Sequence, residues 1–164
     1  MSELPSYHPK RVRNEILDES EISAILSTGN HVTLALCANN IPYAVTMSYG
    51  YDNEKKFLYF HCANKGEKLD FIKQNSNVCA TIIQDNGYLR TQCDHDYASL
   101  ILRGKIFIVA DLEEKIQGLK VLLHHLENDP APILERNIKN DDSYAKVTIL
   151  RFEVESVIGK KYIG

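Results

Sequence analysis

The chain has 164 residues, 44% hydrophobic and 25% charged, with a formal net charge of −3. That length suits one domain, 1–164, with a core large enough to need no staples. The acidic balance argues against a dedicated nucleic-acid binder, since such proteins are usually basic. There is no apolar run of about 18 residues, so no membrane span is expected. The opening "MSELPSYHPKRVRNE" also lacks the apolar stretch of a signal peptide. Cys37, Cys62, Cys79 and Cys93 form no CxxC pair, and the first three fall in strand-like runs. Free thiols and a cytoplasmic setting are the expectation.

Residues 1–15 read as a polar N-terminal arm. "DESEISAILSTGN" predicts a helix: Asp18 and Glu21 have capping-box spacing, Ile22, Ile25 and Leu26 form an apolar stripe, and Gly29 stops it. "HVTLALCA" predicts a strand with Val32, Leu34 and Leu36 on one face, and Asn39-Asn40 predicts a hairpin turn. The next strand is "IPYAVTMSYGY", bulky at odd positions and small or hydroxyl-bearing at even ones. A polar turn leads to the strand "FLYFHC", a short helix "EKLDFIKQ" and the strand "NVCATIIQ". Residues 85–96 read as a long polar loop. "YASLILRGKIFIVA" predicts a long strand whose Gly104 marks a bend or close approach. "DLEEKIQGLKVLLHHLE" is the clearest helix, capped by Asp111, with Leu112, Ile116, Leu119, Leu122, Leu123 and Leu126 as its buried stripe. Of its two adjacent imidazoles, one is expected in solvent and one at the core edge. "NDPAPILERNIKNDDSY" is loop-rich, with room for a short helical turn and with a turn at Asp141-Asp142-Ser143, and "KVTILRFEVES" is the last strand. Antiparallel alternation dominates, so the fold class is mainly β with flanking helices, a small barrel.

Two stretches carry chemistry. In "FHCANKGEKLDFI" a strand ends at His61-Cys62 and a helix starts at once, with Asn64 as its expected N-cap and Lys65 and Lys68 at its opening. Helix N-termini prefer negative charge. An anion there would meet free N–H groups, the dipole and an ammonium, with room left by Gly66. The bland reading is two solvated lysines balanced by Glu67. In "TMSYGY", Thr46, Ser48 and Gly50 offer a small face on which a planar ring could lie, or against which a helix could pack. Together the two stretches describe one ligand, a flat ring with a phosphate. "CDHD", residues 93–96, fits a polar loop better than a metal site.

In this order the stretches "HVTLALCANNIPYAVTMSYGYD", "LYFHCANKGEKLDFI", "NVCATI", "YASLILRGKIFIVADLEEK" and "ILRFEVESVIGKK" resemble the pyridoxamine 5'-phosphate oxidase-like split-barrel flavoproteins, in the nitroimidazole-resistance branch. The resemblance runs from about Arg11 to Lys161. It implies an FMN-binding split β-barrel and a homodimer with cofactor sites at its interface. It places Thr46, Met47, Ser48 and Tyr49 near the ring and ribityl chain. His61, Cys62, Ala63 and Lys68 fall at the phosphate end, with Ser99 as a further contact. Haem or a deazaflavin is the alternative cofactor. The implied activity is electron transfer from a reduced nicotinamide donor to a small acceptor such as a nitro-aromatic. The alternative is a non-catalytic flavin or haem carrier of the same fold.

Overall fold

The computed structural model describes residues 12–137, 143–144 and 147–162. The first eleven residues of the expected arm lie outside these. The remainder is structured: a 3-10 turn, Val12–Asn14, leads into β1, Glu15–Ile16, which pairs with the last strand. Helix α1, Glu19–Thr28, starts at Asp18, whose carboxylate accepts from the Ser20 N–H at 2.8 Å. Gly29 ends it in extended conformation. Its role is space: a Cβ there would come within 2.6 Å of the Tyr49 hydroxyl.

β2, His31–Ala38, and β3, Ile41–Ser48, form the expected hairpin. Asn39 and Asn40 take positive φ of 51° and 63°, as a tight hairpin turn requires. The predicted second strand is then interrupted. Tyr49 turns inward, and the chain resumes as β4, Gly50–Asp52, paired with β5, Phe57–Cys62. Helix α2 spans Glu67–Gln74.

β6 runs from Asn77 to Leu89 and β7 from Asp94 to Ile108, so most of the expected 85–96 loop is a hairpin. It was hidden because both its faces meet water, which removes the apolar alternation that marks a strand. The strand β8, Thr148–Tyr162, is also longer than predicted. Its register against β7 shifts between Arg103 and Gly104, leaving Glu155 as a bulge. The inward set changes parity there, from Leu150 and Phe152 to Val157 and Gly159. A period-two reading breaks at that point. Gly104 is where the backbones approach, since a Cβ would meet the Glu153 carbonyl oxygen at 1.9 Å.

The strand order is β3-β2-β6-β7-β8-β5-β4, all antiparallel, with β1 beside β8. The two ends of this order, β3 and β4, are consecutive in the chain and separated only by Tyr49. The sheet is therefore a curled, split barrel: its edges converge, and among the described residues no ladder closes them. Leu34, Leu58, Phe60, Leu100, Leu102, Ile106, Leu150 and Phe152 fill the interior at 0% exposure.

Helix α3, Leu112–Leu126, packs outside this barrel on Tyr59, Val109 and Ile149 through Leu119 and Leu122. Asp111 caps it by accepting from the Glu114 N–H at 2.8 Å. Glu114 in turn pairs with Arg151, which also pairs with Glu153. Leu112, expected in the buried stripe, is exposed. Helix α4, Ala131–Asn137, occupies part of the segment read as loop-rich. Of the expected turn at 141–143, only Ser143 is described. Among the described residues, no helix is long and apolar enough to cross a membrane.

Candidate functional site

The site is built where the split opens. At its centre is Tyr49, fully buried, whose hydroxyl donates to the Leu26 carbonyl at 2.8 Å. Burial pushes this phenol up, well beyond its ordinary range. Its side chain thus belongs to the core, so any ligand contact at Tyr49 is through its backbone. Pulling Tyr49 inward leaves Ser48 exposed at the end of β3.

Next to Tyr49 stands His125, the half-buried member of the adjacent imidazoles; His124 is exposed. His125 Nδ1 accepts from the Tyr51 N–H at 3.4 Å. Its Nε2 must then carry the proton and donate to the Gly29 carbonyl at 2.7 Å. This neutral imidazole ties α3 to the seam of the sheet. Gly50 allows the approach: a Cβ there would lie 2.4 Å from the Leu122 Cα.

On β3 the small face is open. Pro42, Ala44, Thr46 and Ser48 are all exposed, so among the described residues no helix covers it. Thr46 shares a 2.9 Å hydroxyl hydrogen bond with Thr33. Met47 points the other way and packs against the core.

Across the split, β5 ends in exposed His61 and half-buried Cys62, with Ala63 exposed beyond them. Burial pushes the Cys62 thiol up, and the neighbouring Lys68 ammonium partly opposes that shift. Lys68 is thereby placed at the end of β5, beside the opening of α2. The N-cap is Gly66, not Asn64, and no side chain caps the helix. With φ 145° and ψ 158°, Gly66 occupies a region almost closed to other residues. A Cβ there would have nothing within 4 Å, so the space beside Gly66 is open. In the first turn the Leu69 N–H donates to the Gly66 carbonyl at 2.9 Å.

Ser48 and His61 line one cavity of about 420 Å³. Its other walls are Leu119, Leu122, Leu123 and Leu126 of α3, with Glu127, Ile133, Arg136, Ser143 and Val147. Sequence patterning assigned these leucines to a buried stripe. It could not show that Leu123 and Leu126 stay half-buried beside the end of β3. Arg136 carried no signal in a loop-rich segment.

Ser99 is not part of this group. It lies on β7, paired with Ile83 and Lys160, and two strands separate it from β3. At the usual spacing between strands, that is roughly 14 Å from β3. No group of three or more His, Cys, Asp or Glu side chains among the described residues is arranged to hold a metal ion.

Comparison with known proteins agrees with this architecture. The profile of the family described as pyridoxamine 5'-phosphate oxidase matches residues 18–161. A candidate 5-nitroimidazole antibiotic resistance protein from Bacteroides thetaiotaomicron is 26% identical, with a TM-score of 0.75 over 89% of this chain and 85% of that one. A flavocytochrome from Azotobacter vinelandii superposes with a TM-score of 0.81 at 14% identity, covering 96% of this chain and 73% of that one. An FAD and haem binding protein from Mycobacterium smegmatis gives 0.77 at 16% identity, covering 92% and 74%. At such identities these last two share the fold alone. No curated protein matches the chain. With the family match spanning nearly the whole described chain, on a split barrel of the matching architecture, the protein belongs to the pyridoxamine 5'-phosphate oxidase family.

Proposed function

We propose that the protein is a flavoprotein that binds FMN in the split between β3 and β5 and passes electrons to a small acceptor, such as a nitro-aromatic. The observation that carries this is the meeting of Ser48 and His61 on one cavity, with the uncapped opening of α2 just beyond β5. The residues present fit the group. The open cradle at Gly66 leaves room for a phosphate, which the first-turn N–H groups and Lys68 would hold. The exposed face of Ala44, Thr46 and Ser48 would bear the ring, with hydroxyls for its polar edge. A bound flavin supplies the redox chemistry itself, so the chain needs no dedicated acid or base. Ser48, His61 and the α3 leucines would orient the acceptor and exclude water. A reduced nicotinamide is the proposed electron donor.

The proposed assembly is a homodimer with its cofactor sites at the interface. Its support is the outer sheet face, where Ile83 is 63% and Ile101 37% exposed, with Ile158 across from Ile101. An apolar patch on a sheet face marks an interaction surface. Ser99 lies on that same face, so it would meet the partner's cofactor and not its own.

An absorbance spectrum tests this reading. The protein as purified, or after addition of FMN, should show a flavin band that NADH or NADPH bleaches. Absence of any FMN binding would sink it. A Soret band lost in His61→Ala would instead favour haem, and bound flavin untouched by either nicotinamide would favour a carrier.

A further inference from the structure

β4 is the last strand in the order of the sheet, so one side of its backbone has no neighbouring strand. There the Tyr51 N–H donates to His125 Nδ1 at 3.4 Å, and His125 Nε2 donates to the Gly29 carbonyl at 2.7 Å. One imidazole thus joins three elements: α3, which carries it, the edge of β4 and the end of α1. Only the neutral ring protonated on Nε2 makes both bonds. A second proton, on Nδ1, would face the Tyr51 N–H donor against donor, and that bond would be lost.

A place for the charged ring lies alongside. His125 lines an open cavity of about 560 Å³ together with Asp52, Glu54, Gln117 and His124. The carboxylates of Asp52 and Glu54 favour an imidazolium, and so does the negative end of α3, whose last turn holds His125. From α1, Ser27 lines this cavity and brings no charge. The remaining titratable groups around His125 among the described residues are Tyr49, Tyr51 and His124. Burial pushes the Tyr49 phenol up, so it stays neutral while histidine titrates. His124 is exposed, and its Nδ1 donates to the Lys120 carbonyl at 2.8 Å; when charged, it opposes an imidazolium at His125.

We propose that His125 is a pH-operated latch on the split of the barrel. Neutral, it holds α3 against the edge of β4. Protonated, it releases Tyr51 and turns toward Asp52 and Glu54. The closed arrangement excludes a proton that the released one accepts, so the tie is complete on the alkaline side of the imidazole titration and lost below it. α3 also carries Leu119, Leu122, Leu123 and Leu126, which wall the cavity beside Ser48 and His61. The latch therefore sets how firmly that wall is held, whatever the cavity binds.

The test is NMR and hydrogen exchange on the full chain from about pH 8 to about pH 5, the range in which histidine side chains titrate. At the upper end the His125 ring should be the Nε2–H tautomer. As it gains a proton, the Tyr51 amide resonance should move with the same midpoint. Exchange of the amides of Tyr51 and of residues 119–126, corrected for the intrinsic rate, should quicken roughly five- to tenfold, the equivalent of one hydrogen bond. His125→Gln keeps a donor and an acceptor but takes no proton, so exchange in α3 should lose its pH dependence. Four results would each overturn the proposal: an Nδ1–H tautomer, a ring still neutral at about pH 5, a Tyr51 amide indifferent to the His125 titration, or unchanged pH dependence of α3 in His125→Gln. Should that variant not fold, the wild-type measurements decide alone.

Discussion

At the scale of single residues, Lys68 carries the sharpest expectation. Its ammonium sits at an uncapped helix opening beside Cys62, where a positive charge is otherwise unfavourable. A phosphate would reverse that balance. Lys68→Ala should weaken FMN by about 1.5–3 kcal/mol, the scale of hydrogen bonds to charged groups. An absorbance or fluorescence titration reads this directly; unchanged affinity would make the lysine merely solvated. The positions of His61 at a strand end and Lys68 at a helix start were legible in the sequence because strand end, glycine and helix start follow each other within a few residues, and the small face that holds Ser48 was legible from the alternation of its strand. The fate of Tyr49 was not. Alternation placed it with the bulky residues of one strand, but only the Leu26 carbonyl, 23 residues away, explains why its hydroxyl is buried.

Among the elements, α3 and the β6–β7 hairpin make separate predictions. α3 lies so close to β4 that a Cβ on Gly50 would meet the Leu122 Cα at 2.4 Å and its nitrogen at 2.6 Å. Backbone cannot swing aside as a side chain does. Gly50→Ala should cost roughly 1–3 kcal/mol, the scale of overpacking, or more. Thermal melting would show it, together with faster proteolysis around α3. In the hairpin, Asp85 accepts from His95 at 2.6 Å and from the Gly87 N–H at 2.8 Å. The His95 hydrogen bond, then that of Gly87, hold its carboxyl below the ordinary carboxylate range. A lowered value in the folded state means this tie is complete above the ordinary range and is lost as pH falls through the folded value. Amide protection over residues 86–96 should therefore drop in acid, while the barrel strands keep theirs. In His95→Ala it should already be low at neutral pH. Hydrogen exchange at several pH values would decide, and pH-independent protection would remove Asp85 from the account. The helices α1 and α3 were legible from caps and stripes. The hairpin was not, because a ladder with water on both faces has no apolar period.

For the whole molecule, the proposed homodimer is the main expectation. Ile83 and Ile101 belong to an outer sheet face whose neighbouring positions include Thr81, Ser99, Arg103 and Ile158. The wild-type protein should sediment at twice the mass of the chain. Ile101→Lys should shift it to the monomer and lower FMN affinity with it; a wild-type monomer in sedimentation would refute the assembly. Much of the fold was present in local pattern: the hairpin at Asn39-Asn40, the strand faces through Leu34, Leu100 and Phe152, the caps at Asp18 and Asp111, and a helix starting soon after His61, though with Gly66 and not Asn64 as its cap. These depend on neighbours in sequence, where period and backbone preference act. Tertiary structure alone decided three things. It broke β3 from β4 at Tyr49, continued β8 past the Glu155 bulge, and brought the α3 leucines to Ser48 and His61. Each depends on contact between residues far apart along the chain. A buried hydroxyl seeking a carbonyl, a shift in register and the close approach of helix to strand have no period for the sequence to display.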